Sequence, residues 1–422
     1  MTRYKTLLRL APLLAAGFAA AVIGACADNG PTDVVPALTP VDPLFASYVA
    51  LGNSITAGYQ SGGIVDSTQR QSYAGLLASA MNTRYVYPSL VFPGCPPPVV
   101  NFQTQARLGG TTAPPCALRD TASVSTVLNN VAVPGALAVD PTGITTASSN
   151  QLTMFILGGK TQVQKAADAN ATFFTAWVGN NDALAAGIQG VIDSVAAKAY
   201  NLPGRLTPQT SFTTSYGAMA TGLKAIPTLK GGVLIGVIQV ASAPVLFPAQ
   251  ALFNPAFKAG FDQFAGGTTT ILPSCTATTT ALVSFQLASA MRAGTHPRVI
   301  GCAKNSVPGT PVGDIFILDP GEQTALATAI TNYNTYIQSV ATANGWAYYD
   351  PNPLLVTLKA TVGGCITTVP NLASATQPFG SCISLDGIHP AAPAHVRLET
   401  EIAAAIDAKY GTKLSSAVVR AP

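Results

Sequence analysis

The reactive chemistry of this sequence lies in a serine, a histidine and an aspartate on two short islands. In the first, Tyr48-Val-Ala-Leu-Gly-Asn-Ser-Ile-Thr-Ala-Gly58, an apolar run leads straight into a Gly-x-Ser-x-x-x-Gly turn. Glycines let a strand bend sharply into a helix, and a hydroxyl held at that bend is open to a substrate and to an activating base. Ser54 is therefore the candidate nucleophile. The second island is Leu385-Asp-Gly-Ile-His-Pro390, in a chain with only 3 histidines. Asp386 lies three residues before His389, so one tight turn brings its carboxylate to the imidazole. There it can fix the tautomer and stabilise the imidazolium formed when the serine gives up its proton. His395 is expected to pack or face solvent, and His296, in His-Pro-Arg, to sit in a loop. Pro390 is expected to open a helix with Leu398, Ile402 and Ile406 on one face and Gly411 at its end.

Two further islands lie between these, Asn129-Asn-Val-Ala-Val-Pro-Gly135 and Trp177-Val-Gly-Asn-Asn-Asp182, each following or containing a strand-like run. With the Ser54 turn they could supply three donors to an oxyanion: the backbone N–H groups of Ser54 and Gly135 and the side-chain amide of Asn181. Singly, each motif also has an ordinary use in turns and caps. Their joint occurrence favours catalysis.

In this order, the four islands resemble the sequence blocks of the SGNH (GDSL-type) hydrolases, across almost the whole mature chain. The resemblance implies a three-layer α/β/α sandwich around a parallel sheet. It also implies roles for Ser54, Asp386 and His389 in catalysis and for Ser54, Gly135 and Asn181 in the oxyanion hole, with no cofactor. Asn53 departs from the pattern, because the family usually has aspartate there. The chain looks closest to a branch found as bacterial lipoproteins.

The amino terminus reads as an export signal over residues 1–25: Arg3, Lys5 and Arg9, then an apolar run from Leu10 to Ala25. Ile23-Gly-Ala-Cys26 resembles a lipobox, which implies lipidation at Cys26; the alternative is plain cleavage near Ala25 or Ala27. Residues 26–46 read as a tether and 47–422 as the hydrolase-like domain. Six cysteines remain, an even count that suggests disulfides in an exported chain. Their local grouping favours Cys95 with Cys116, Cys275 with Cys302, and Cys365 with Cys382. Charged residues make up 9% of the chain and the net charge is +4 without a basic run, which gives nucleic-acid binding no support. No zinc-binding spacing occurs, and no metal site is expected.

Strands are predicted at residues 48–51, 85–87, 130–133, 172–178, 233–240 and 346–349, alternating with helical patterns. The clearest helix starts at Asp319-Pro-Gly-Glu322 and carries Leu326, Ile330, Tyr333, Ile337 and Val340 on one face. Such alternation implies a parallel sheet covered on both sides, with ligands beyond the carboxyl ends of its strands. Turn-rich insertions are expected near 90–125, 185–210, 243–312 and 358–384. Phe247, Phe253, Phe257, Phe261 and Phe264, with Leu252, suit ordinary core better than a lid or acyl-chain wall. These features describe a lipid-anchored serine esterase whose substrate is a lipid, another carboxylic ester or an acetylated glycan. The rival from another class is a non-catalytic envelope lipoprotein that uses the fold for binding or assembly.

Overall fold

Short apolar runs build the central sheet from β1 (Tyr48–Gly52), β2 (Phe173–Trp177), β3 (Gly231–Ile235) and β4 (Ala347–Tyr349), side by side in that order and all parallel. The computed structural model describes residues 38–110, 127–143, 156–192, 206–303, 306–307, 315–360 and 362–417; those from Pro40 onward belong to the unit Pro40–Pro422. Cys26, the leader, most of the tether and Cys116 lie outside the described residues. Along the other edge of β1, residues 129–133 run parallel to it: Ala50 N–H donates to Asn129 O at 2.7 Å, and Val133 N–H to Gly52 O at 3.1 Å. The second extended segment of the sheet thus flanks the first, and the later ones follow on the other side. This flavodoxin-like order opens a crevice at the carboxyl end of β1, where the direction of winding reverses.

Helices α1 (Ser54–Ala57), α2 (Tyr73–Ala80), α3 (Gln162–Asp168), α4 (Asn181–Gln189), α5 (Gln209–Lys224), α6 (Pro320–Asn344) and α7 (Ala392–Tyr410) are the main helical elements. Alternate strand side chains point to opposite faces of the sheet. Val49, Leu51, Phe174 and Leu234 pack with Ala166 of α3, Phe212 and Met219 of α5, and Leu326 and Ile330 of α6. Tyr48, Ala50, Phe173 and Val233 pack with Leu77 of α2 and with Leu398, Ile402 and Ile406 of α7. Burial on both faces explains why the strands read as near-continuous apolar runs.

Helix α6 begins with the expected capping box: Asp319 accepts from Glu322 N–H at 2.8 Å, and Glu322 accepts from Asp319 N–H at 3.1 Å. Three local expectations need correction. Residues 85–87 form no strand, because Val86 spends both backbone groups on Asn129 and Asn130 rather than on a ladder. The strand expected over 233–240 stops at Ile235, since the Val237 backbone is held by the Asn334 side chain of α6, at 2.6 Å and 2.9 Å. Helix α7 starts at Ala392, with Pro393 rather than Pro390 in its first turn; Pro390 instead bridges to Ile383, and Ala391 N–H donates to Cys382 O.

The 243–312 region is more ordered than a turn-rich insertion. It contributes Leu246–Pro248 and Leu282–Ser284 to a three-stranded antiparallel sheet with Ile317–Leu318, and it includes helix Pro255–Phe264. Phe247, Phe257, Phe261 and Phe264 are buried here around Phe285, while Phe253 is exposed. The aromatic stripe is therefore a local core. Disulfides join Cys275 to Cys302 and Cys365 to Cys382, with Cα atoms 4.9 Å and 5.3 Å apart. Cys95 is also disulfide-bonded.

Candidate active site

Strand β1 ends at Gly52, where a Cβ would lie 2.2 Å from Thr56 Oγ1, so only glycine lets the chain fold back this tightly. The Asn53 side-chain oxygen then accepts from Ile55 N–H at 3.1 Å and caps α1. An aspartate could make the same cap; the amide makes it without placing a charge beside Ser54. Helix α1 closes after one turn at Gly58, whose φ of 87° suits a residue without a side chain. Ser54 thus stands at the first helical position, where its N–H has no intrahelical acceptor.

His389 Nε2 lies 2.9 Å from Ser54 Oγ, and His389 Nδ1 lies 2.8 Å from Asp386 Oδ2. The loop carrying both is shaped by Asp386 itself: its Oδ1 accepts from the backbone N–H groups of Ile388 and His389, each at 2.9 Å, and from the Ser384 hydroxyl at 3.0 Å. Oδ2 also accepts from Gly62 N–H at 2.8 Å. Burial alone would raise the Asp386 carboxyl, but the His389 charge and the hydrogen bonds from His389 and Gly62 outweigh it. They hold the group well below the usual carboxylate range. The segment just after α1 clasps this loop further, through Ser61 N–H to Ser384 Oγ at 2.8 Å and Leu385 N–H to Ser61 Oγ at 3.1 Å. Tyr59 packs on His389 with ring centroids 4.9 Å apart, and burial and the Asp386 charge push its phenol up to about 12.

The structure also brings the three expected donors to this place. Ser54, Gly135, Asn181 and His389 line one cleft of about 420 Å³. Gly135 has φ 83° in the turn after the 129–133 segment, and Asn181 opens α4 just beyond β2. The Asn181 side chain does not cap its helix; its amide donates to Ala136 O at 2.9 Å, which ties it to the Gly135 turn. A second proton on the same nitrogen remains for another acceptor. His395 is fully buried on α7, and its Nδ1 accepts from Tyr73 N–H at 3.1 Å. His296 is buried in a loop, with Nδ1 2.7 Å from Pro297 O. Neither lines the cleft.

Two supporting residues have no signature in the sequence. Gln162, buried at the start of α3, accepts from Gly52 N–H at 2.8 Å and donates to Gly52 O at 3.0 Å. Its amide thus acts as a short piece of neighbouring strand where the backbone of the 129–133 segment turns away. Asp182, next to Asn181, accepts from Ala138 N–H at 2.9 Å; burial raises its carboxyl to about 7 despite that bond. A Gln–Gly pairing 110 residues apart leaves no local pattern to read.

No protein-family model matches the chain, and no curated protein matches it. Among solved structures, it is similar to the extracellular lipase of Streptomyces rimosus at 13% identity, over 86% of this chain and 99% of that one, with a TM-score of 0.37. It is similar to phospholipase A1 of Streptomyces albidoflavus at 13% identity over the same shares, with a TM-score of 0.33. A Geobacillus acetyl-xylooligosaccharide esterase, present as a variant, is 10% identical over 89% of this chain and 97% of its own, also with a TM-score of 0.33. These neighbours are lipases and esterases.

Proposed function

We propose that this protein is a carboxylic ester hydrolase of the SGNH (GDSL) type, with Ser54, His389 and Asp386 as its catalytic triad. The observation that carries the proposal is the unbroken relay from Ser54 Oγ through His389 to Asp386, at 2.9 Å and 2.8 Å, opening on a cleft. Ser54 Oγ attacks the ester carbonyl as its proton passes to His389 Nε2, and Asp386 stabilises the resulting imidazolium. The oxyanion takes hydrogen bonds from Ser54 N–H, Gly135 N–H and the Asn181 amide. His389 returns the proton to the leaving alcohol, which departs from the acyl-enzyme. Water, deprotonated by His389, then releases the acid and restores Ser54.

Ser54→Ala should abolish hydrolysis of p-nitrophenyl esters and labelling by a fluorophosphonate while leaving the fold intact. Hydrolysis that persists in that variant would refute the assignment. Absence of hydrolysis in the wild type under all conditions would favour the binding or assembly module. Disulfides fit an oxidising, exported location. We further propose that Cys26 is the lipidated first residue of the mature protein and anchors it to a membrane; the mass of the mature amino-terminal peptide tests this, and an unmodified or absent Cys26 would refute it.

A further inference from the structure

Beside the nucleophile lies a third apolar cluster, separate from the two that pack on the sheet: Ala57, Ile64, Leu90, Cys95 and Ala132, with Tyr59 against it. Every one of these six residues also lines the cleft that contains Ser54. Apolar side chains along a cleft gain dispersion contacts with an apolar group laid against them. The amides beside the cluster are tied to the backbone around it. Gln69 donates to Pro88 O at 2.9 Å and accepts from Leu90 N–H at 3.0 Å. Asn130 donates to Thr56 O at 3.0 Å and accepts from Ala132 N–H at 3.1 Å. No Asp, Glu, Lys or Arg is among the described residues that line the cleft.

We infer that this cluster is an acyl-chain pocket and that the substrate is an ester of an uncharged acyl group of butyrate length or longer, rather than an acetylated glycan. The inference rests on the proposed ester hydrolysis at Ser54. An acetylated glycan would set only a methyl group against this wall and leave most of its apolar surface uncovered, whereas a longer acyl chain covers it. The wall is continuous with the groups that hold the carbonyl: Ala57 shares α1 with Ser54, and Ala132 leads into Gly135. The alcohol oxygen, in contrast, must face His389 Nε2 to receive its proton.

The test is a series of p-nitrophenyl esters, acetate through octanoate, with the purified full-length protein, alongside acetates of ethanol, butanol and hexanol. kcat/KM should rise about four-fold for each methylene transferred into the pocket, from acetate through at least hexanoate, while the alcohol series stays flat. A flat or falling acyl series overturns the inference, as does a rise confined to the alcohol series. Hydrolysis of the acetate that is lost once a fluorophosphonate labels Ser54 would then show that the proposed activity survives that failure. If no ester is cleaved and Ser54 is not labelled, both fall together. Leu90→Trp should lower the octanoate-to-acetate ratio of kcat/KM by about ten-fold or more. Ile64→Phe provides the same readout should the larger substitution fail to fold. An unchanged ratio in a folded variant of either kind overturns the assignment of the wall.

Discussion

Replacing Asp386 by asparagine tests the relay most directly, because the carboxylate accepts five hydrogen bonds and donates none. An amide cannot satisfy that set in either orientation. With its NH2 group towards Oδ1's partners it meets the N–H groups of Ile388 and His389. Turned the other way it meets Gly62 N–H and His389 Nδ1, so the imidazole must shift its proton to Nε2 to accept there. A ring protonated on Nε2 has no lone pair for the Ser54 proton. The lost charge adds to this: at a separation of about 4 Å and an effective dielectric of about 20, attraction between carboxylate and imidazolium is about 4 kcal/mol. That corresponds to about a thousand-fold in rate. With the tautomer penalty, kcat for Asp386→Asn should fall by about 10³ to 10⁴-fold, within the range known for such a replacement. Steady-state kinetics on a p-nitrophenyl ester should be paired with circular dichroism to establish folding. Ser384→Ala is the control, since it removes the hydroxyl's bond to Asp386 and the bond it accepts from Ser61 N–H but keeps the charge, and should cost less than about ten-fold. A folded Asp386→Asn protein within ten-fold of wild type would refute the relay.

Asn181→Ala should lower kcat by about 100 to 1,000-fold with little change in KM, as loss of one oxyanion donor does, and Asn181→Asp should be at least as damaging; an active, stable Asn181→Asp enzyme would remove Asn181 from the oxyanion hole. His395 supplies a pH test. Burial, aided by repulsion from the His389 charge, lowers its imidazole to about 3. The folded value lies below the unfolded one of about 6.5, so the unfolded chain binds the extra proton between them. The stability due to neutral His395 is then complete above about pH 6.5 and is lost at about 1.4 kcal/mol per pH unit as pH falls towards 3. Asp182 and Glu399, both raised to about 7 chiefly by burial, act in the opposite direction, so the comparison must be with His395→Asn. Urea unfolding from pH 4 to 6 should show a difference in slope of about one proton, and parallel slopes would contradict the assignment.

The nucleophile turn and the Asp-x-x-His loop were legible because each is local: a strand end, glycines at forced conformations, and a carboxylate one turn from a ring. The capping box of α6 was legible for the same reason. The cleft wall was not. Ile64, Leu90 and Ala132 come from segments far apart in the chain, and none has a pattern that separates lining from core. Gln162 escaped notice because a glutamine at the start of a helix has no reason, within its own segment, to hold a glycine two residues before the nucleophile. The displaced start of α7 shows the same limit from the other side. Pro390 and Pro393 both suit a first turn, and only the pairing of Pro390 with Ile383 decides between them.

The clasp between the segment after α1 and the Asp386 loop also bears on when activity can arise. Ser54 and His389 are 335 residues apart in sequence, and Ser61, Gly62, Ser384 and Asp386 lock together only when both loops are in place. During synthesis the proposed nucleophile is made 335 residues before its proposed base, so every nascent chain short of His389 carries Ser54 without that proton acceptor. Closing so long a separation is a late folding event. The proposed hydrolysis therefore begins only once both loops are made and locked together, which spares the cell that produces the chain from a half-built site.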